Sequence, residues 1–159
     1  KMYKPHIYLT ENEEKFRLDQ AFLKVEHEAI NATRYSINLE NIKDPIFINF
    51  TDNYHPQWKI RVGDFNWFNS IVSPDYSLSD SNHKMNEAKL NSYFIDPKII
   101  CSKHECQNNP DGSYDIKLIL YYLPQSYVYL CLAISVSTFI LIFTYLIFIL
   151  GKYVFKKRK

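Results

Sequence analysis

No charged residue occurs between Tyr127 and Leu150, and this limits the architectures open to the chain. A bilayer core about 30 Å thick requires roughly 20 apolar residues in helical form, and this run meets that length. Its serine and threonine hydroxyls can bond back to helix carbonyls. Pro124 suits a first helical turn, where its missing N–H costs nothing. The sequence therefore predicts one transmembrane helix over residues 124–151.

Basic residues follow this helix, so we interpret residues 152–159 as a basic cytoplasmic tail. No basic residue lies between Leu118 and Gln125, on the other side of the span. The positive-inside rule therefore places the tail in the cytoplasm and the region before the helix outside it. The pair Lys156 and Lys157 also fits a dilysine retrieval signal of the secretory pathway.

The charge distribution bears on the partners of the chain. The tail contributes +5 to a formal net charge of +2, which leaves −3 for residues 1–151. Proteins that bind nucleic acid concentrate Lys and Arg on one face, and this region has no such excess. We therefore predict the lipid bilayer as a partner, with the tail close to anionic lipid, and no nucleic acid.

Export of the region before the helix requires a signal peptide or an earlier membrane span. The segment Lys1–Asn12 resembles neither. A tail-anchored protein with a cytosolic domain is an alternative, but its basic tail would lie on the wrong side of the membrane. We expect either a removed signal peptide or upstream membrane helices of the same protein. We favour the second, with residues 1–19 as a linker from that upstream region.

Residues 20–123 are long enough to form one hydrophobic core, and their pattern has the period of a β-strand. Turn-forming dipeptides such as Asp44-Pro45 and Asp96-Pro97 separate the alternating runs. Short strands divided by such turns predict a mainly β fold, a β-sandwich or jelly-roll-like extracytoplasmic domain. The predicted strands are Thr33–Glu40, Ile46–Phe50, Trp58–Val62, Asn91–Ile95 and Tyr114–Tyr122.

Two segments of this domain give weaker patterns. Ala21–Glu28 is ambiguous between a first strand and a short helix. The polar stretch from Ser70 to Lys89 is predicted to be irregular, because it lacks a sustained period.

Cys101 and Cys106 flank the tetrapeptide Ser-Lys-His-Glu. Outside the cytoplasm a close cysteine pair most often forms a disulfide. Free thiols are one alternative, and a zinc site that adds His104 is another, although no fourth ligand follows at finger-like spacing. We predict a disulfide between Cys101 and Cys106 and no metal. Cys131 lies within the apolar run and suits a small packing residue.

Aromatic residues cluster around the third predicted strand, and polar residues are interleaved with them. Exposed aromatic rings beside carboxylates can hold a sugar. The alternative is packing in a β-sheet core, where such rings are common. The candidate ligand-binding residues are Trp58, Asp64 and Trp67.

Known catalytic motifs do not occur in the sequence. There is no nucleophile elbow, no glycine-rich phosphate loop and no His-Glu-x-x-His pattern. We predict no catalytic residue and no cofactor within this chain, which leaves open whether the whole protein is an enzyme.

A set of segments spread over most of the chain carries a family resemblance. In this order and with the terminal helix, they resemble the C-terminal end of large polytopic bacterial membrane proteins of the GT-C glycosyltransferase type. Ala32 departs from the family pattern, in which a proline is expected at this position as part of an Asn-Pro-Thr sequence. The segments are Asn31–Tyr35, Phe47–Phe50, Tyr54–Lys59, Leu90–Asp96, Asn109–Asp115 and Pro124–Ser135.

The resemblance implies a bacterial plasma-membrane protein of the cell envelope that uses a polyprenyl-phosphate-linked sugar. Such enzymes carry their catalytic carboxylate, often with a metal ion, in an early extracytoplasmic loop that this chain does not include. The terminal domain would then cap the membrane portion, bind acceptor glycan or stabilise the assembly, and fold-level analogy does not decide among these. The alternative is a non-catalytic single-pass ectodomain, either an adhesin-like binder or a resident of the endoplasmic reticulum with a dilysine tail.

Overall fold

The computed structural model of the protein describes residues 7–10, 23–73 and 78–157. Contacts divide the chain into two compact units, Lys1–Leu123 and Pro124–Lys159. The first unit is mainly β, as the alternating pattern predicts, and the second is helical.

The strands of the first unit form two antiparallel sheets. Within the described ranges they are β1 (Ile7–Thr10), β2 (Leu23–Lys24), β3 (Glu26–Asn31), β4 (Arg34–Ile42), β5 (Ile46–Asn53), β6 (Trp58–Val62), β7 (His83–Met85), β8 (Leu90–Ile95), β9 (Gln107–Asn108) and β10 (Tyr114–Tyr122). The first sheet has the order β2-β1-β5-β8-β7. The second has the order β3-β4-β10-β6, and β9 pairs with β10 at one end.

Alternate residues of both sheets meet in one hydrophobic cluster. Strand register explains this, because Leu118 of β10 lies opposite both Ile37 of β4 and Val62 of β6. In the first sheet Ile48 of β5 lies opposite Tyr93 of β8. All five side chains are almost fully buried. Burying an aliphatic or aromatic side chain contributes roughly 1.5–3 kcal/mol, so this shared cluster is the main source of the domain's stability.

The predicted strands agree closely with the observed ones. Trp58–Val62 and Tyr114–Tyr122 coincide with β6 and β10, and the other three differ only at their ends. Within the ambiguous segment Ala21–Glu28, Leu23 and Lys24 form β2, and β3 begins at Glu26. The stretch Ser70–Lys89 is not wholly irregular, because it includes β7 and a 3-10 turn over Asp80–Asn82.

Among the described residues of the first unit, two short α-helices lie between strands: α1 (Asn69–Val72) and α2 (Pro97–Lys103). Helix α2 was absent from the prediction, although its N-terminal signal is present in the sequence. The Asp96 carboxylate accepts hydrogen bonds from the backbone N–H groups of Lys98 and Ile99, and Pro97 occupies the first turn. An aspartate cap followed by proline favours a helix start. Ile100 then anchors the helix in the core.

The linker predicted over residues 1–19 contains a strand. Ile7–Thr10 forms β1, which pairs with β5 so that Ile7 lies opposite Phe50 and Leu9 opposite Ile48. Backbone pairing therefore extends the first sheet into the segment predicted as a linker. The rest of that segment lies outside the described residues.

Helix α3 covers Leu123–Lys157, and so begins earlier and ends later than predicted. Its segment Leu123–Tyr153 is long and apolar enough to cross a membrane by length and composition, and the apolar side chains along it are exposed. The hydroxyl of Ser135 donates to the carbonyl of Cys131 at 2.9 Å, and that of Thr138 donates to Ile134 at 2.9 Å. The expected return of hydroxyls to the helix backbone is confirmed.

Candidate ligand-binding site

The segment after β6 folds back over the second sheet. Gly63 has φ +78°, a left-handed conformation that glycine adopts without strain, and its N–H donates to the carbonyl of Lys117 at 2.9 Å. The ring of Phe65 then lies 5.0 Å from that of Tyr121, centroid to centroid. The Arg34 guanidinium lies 5.0 Å from the Phe65 ring centroid. Tyr121 and Arg34 are register partners, so this loop lies over their shared face of the sheet.

Trp58, the first candidate ligand residue, lies in the hydrophobic cluster and is 7% exposed. Its ring meets Phe50 edge-on with centroids 4.8 Å apart, and the Tyr122 ring lies 5.3 Å away. A ligand on the surface therefore reaches little of the indole, whose contacts are those of a core residue.

Asp64 and Trp67 lie on the loop after β6, away from the core contacts of Trp58. The Asp64 carboxylate accepts a hydrogen bond from the Lys117 ammonium at 2.8 Å. This bond and the positive charge of Lys117 lower the pKa of Asp64. Trp67 is half-buried and meets the Phe68 ring edge-on at 5.7 Å. The three candidates thus do not form one surface, because the strand turns Trp58 inward before the loop begins.

Cys101 and Cys106 are joined by the disulfide that their spacing predicts. The bridge ties the end of α2 to the start of β9, and both half-cystines pack against the core cluster. Because both sulfurs are in the bridge, neither is a thiolate that could hold zinc with His104. Among the described residues, no group of three or more His, Cys, Asp or Glu is arranged to hold a metal ion.

A cleft of about 450 Å³ lies between the end of β6 and the disulfide loop. We call it the β6 cleft. One wall is the strand and turn that carry Arg61 and Asp64, and the other is the tethered segment that carries Lys103 and His104. It is lined by Arg61, Val62, Gly63, Asp64, Lys103, His104 and Glu105.

The lining of the β6 cleft contains two basic residues, two acidic residues and His104. Arg61 is 4% exposed, whereas Lys103 is exposed. The pKa of His104 is lowered, first by burial and then by the positive charges of Lys103 and Arg61. An imidazole with a lowered pKa is neutral at pH 7 and can donate or accept a hydrogen bond. The cleft is therefore lined by two cations, two carboxylates and one neutral imidazole.

Of the residues lining this cleft, Asp64 was among the predicted ligand residues and His104 was considered only as a zinc ligand. Arg61 and Lys103 were not identified. One signal was available for Arg61, because a charged residue inside an alternating strand faces away from Ile60 and Val62. Nothing in the local sequence indicates that Lys103 approaches the same point.

In comparisons with known proteins, no family model, curated protein or solved structure matches the chain.

Proposed function

We propose that this chain is a membrane-anchored β-sandwich domain whose C-terminal helix crosses the bilayer. Helix α3 is the observation that carries the proposal, since its 31-residue segment Leu123–Tyr153 is apolar and exposed. At about 1.5 Å per residue it spans about 46 Å, more than the bilayer core of about 30 Å. So large an apolar surface is unfavourable in water, and lipid would cover it.

Two features support a position of the β domain outside the cytoplasm. Basic residues follow the helix and mark its cytoplasmic end. At the other side of the span, Cys101 and Cys106 form a disulfide, which persists in oxidising compartments. The common hydrophobic cluster of the two antiparallel sheets supports the sandwich arrangement.

We further propose that the domain belongs to a polytopic membrane glycosyltransferase of the bacterial cell envelope that uses a polyprenyl-phosphate-linked sugar. Its role is accessory: it binds acceptor glycan or caps the membrane portion, and its partners are the bilayer and upstream helices of the same protein. The segments that resemble the GT-C type, and the order in which they follow one another, support this proposal. The β6 cleft supplies a place where glycan could bind, with Asp64 within it and Trp67 on the adjoining loop.

The second candidate is a non-catalytic, single-pass ectodomain that only binds. The observation that favours it is the lining of the β6 cleft, where cations and an imidazole suit recognition. Upstream sequence separates the two candidates. Several hydrophobic spans with an early extracytoplasmic carboxylate would support the glycosyltransferase, whereas a cleavable signal peptide alone would support the ectodomain.

The anchoring proposal is tested with the whole protein, in which green fluorescent protein or alkaline phosphatase is placed directly after Lys159. We expect bright green fluorescence, inactive phosphatase and retention in membranes washed with alkaline carbonate, because the tail is cytoplasmic. Release by carbonate, or an active phosphatase fusion, would contradict the proposal.

The enzymatic proposal is tested in membranes that contain the whole protein and a radiolabelled polyprenyl-phosphate sugar. Transfer of label to envelope glycan is expected, and deletion of residues 20–123 should reduce it while the membrane portion remains inserted. Equal label transfer by membranes that lack the gene would exclude a glycosyltransferase.

A further inference from the structure

We infer that the β6 cleft binds the carboxylate or phosphate group of an acidic sugar. The choice of a sugar rests on the proposed function, whereas the choice of an anion rests on the residues of the cleft.

The charges of the lining residues carry the first step. Arg61 and Lys103 supply two cations, and Asp64 and Glu105 supply two carboxylates. The Asp64 carboxylate is engaged by Lys117 in an ion pair at 2.8 Å, which offsets its charge. With Asp64 offset in this way, the two cations Arg61 and Lys103 face the single carboxylate of Glu105, so the balance is positive. A cleft with a positive balance attracts anions.

The position of Arg61 carries the second step. Arg61 is nearly buried, and its backbone is fixed opposite Ile119 in the ladder of β6 and β10. Its planar fork matches the two oxygens of a carboxylate or phosphate. Lys103 and His104 are held on the opposite wall by the disulfide. The backbone segments that carry these groups are therefore fixed before a ligand binds.

The size of the cleft limits the ligand. Small-molecule sites range over about 300–1,000 Å³, and the β6 cleft has about 450 Å³. This volume suits one or two sugar units that carry a single acidic group.

The test uses the full chain in a polyoxyethylene detergent, which contains neither sugar nor charge. Binding of glucuronate, glucose 6-phosphate, glucose and inorganic phosphate is measured by titration calorimetry. We expect both acidic sugars to bind at least about tenfold more tightly than glucose, the effect of one charge-assisted hydrogen bond. Equal binding of glucose and glucuronate would overturn the inference.

Matched lysine variants locate the site. Lys103→Gln should weaken binding of glucuronate by about tenfold, whereas Lys98→Gln, on the same helix but outside the cleft, should leave it unchanged. Both positions are exposed, so the domain should fold in each variant, as circular dichroism will show. Equal loss in the two variants, or none in Lys103→Gln, would contradict the inference.

Inorganic phosphate distinguishes the source of the anion. If it competes with glucose 6-phosphate at equal concentration, the cleft takes free phosphate and the acidic-sugar inference is wrong. The membrane fusions described above report on anchoring alone, and label transfer reports on the enzyme. Failure of sugar binding with normal results in those assays would therefore remove this inference and leave the proposed function standing.

Discussion

The imidazole of His83 stacks on the phenol ring of Tyr93, with 4.3 Å between ring centroids and 10° between planes. Its Nε2 atom also lies 3.0 Å from Oδ1 of Asn91. The amide nitrogen of Asn91 donates to the carbonyl oxygens of Asp52 and Asn53, so its oxygen must face His83. Because that oxygen only accepts hydrogen bonds, Nε2 carries the proton of the neutral ring.

This environment predicts a pH-dependent stability that originates at His83. Burial is the largest influence on its pKa and lowers it, against a smaller opposing effect of the hydrogen bond with Asn91. The unfolded chain therefore binds a proton more readily, and stability should fall as pH decreases through about 6.5. Urea unfolding from about pH 7.5 to about pH 5 should show a smaller decrease in His83→Gln than in the unaltered chain. An identical decrease would refute this assignment.

Asn91 should be among the most sensitive polar positions of the domain. It is fully buried, and its oxygen also accepts the backbone N–H of His55 at 3.0 Å. Asn91→Asp preserves shape but turns a carboxylate oxygen toward the carbonyls of Asp52 and Asn53. We expect a loss of about 3 kcal/mol or more in the free energy of unfolding. The control Asn108→Asp, at an exposed strand position, should cost under about 1 kcal/mol. Equal losses in the two variants would show that Asn91 is not a sensitive position.

The two tryptophans should respond differently to truncation. Trp58→Ala removes a ring packed on Phe50 and Tyr122 and should cost about 3–5 kcal/mol. Trp67→Ala, at a half-buried loop position, should cost about 1 kcal/mol and weaken glycan binding with the fold intact. Urea denaturation and circular dichroism check both. Unfolding of the Trp67 variant would show that this indole is structural, and would remove it from the ligand site.

The disulfide should be closed in the folded protein and should add to its stability. Alkylation in denaturing detergent before reduction should label only Cys131, the free cysteine of the described chain, and reduction should then expose Cys101 and Cys106. The double variant Cys101→Ser, Cys106→Ser should lose about 2 kcal/mol, as expected for so short a loop. Labelling of Cys101 or Cys106 before reduction would contradict the bridge.

Asp111 should make a stabilising contribution that disappears in acid. Its carboxylate accepts two hydrogen bonds from Ser113 and forms an ion pair with Lys43 at 2.9 Å. The bond from the Ser113 hydroxyl is the largest cause that lowers the pKa, followed by the bond from Lys43. Because the folded pKa lies below the unfolded value of about 3.9, the contribution is present above about pH 4 and lost below it.

The corresponding measurement compares urea midpoints of Asp111→Asn and the unaltered chain at about pH 7 and about pH 3. The difference in urea midpoint between the variant and the unaltered chain should be smaller at the lower pH. Asp44→Asn, which changes an exposed aspartate between β4 and β5, is the control for a general charge effect. If the difference in urea midpoint between Asp111→Asn and the unaltered chain is the same at both pH values, the ionised carboxylate does not stabilise the fold.

The strands could be predicted wherever apolar and polar residues alternate without interruption. The bounds of β6 and β10 follow directly from that alternation, because one face of each strand packs in the shared hydrophobic cluster. Helix α2 was missed because it is too short for a helical period, and only its Asp96 cap marks it. Strand β1 was missed because its place in the sheet depends on pairing with β5.

The candidate site shows the same division. Trp58 and Trp67 belong to one aromatic cluster in the sequence, but one is a core residue and the other lies on a loop. Alternation assigns residues to two faces of a strand without indicating what covers each face. The β6 cleft depends on Lys103 and His104 meeting Arg61, and the disulfide that was expected from spacing holds that wall in place.

The sequence alone was enough to infer four features: the apolar helix, the basic tail, the period of the main strands and the cysteine pair. Each depends on the chemistry of residues that are close in sequence. The sheet order, the Asn91 network and the positive cleft required the folded molecule. They arise from contacts between residues far apart in the chain, which are determined by how the two sheets bury their common core.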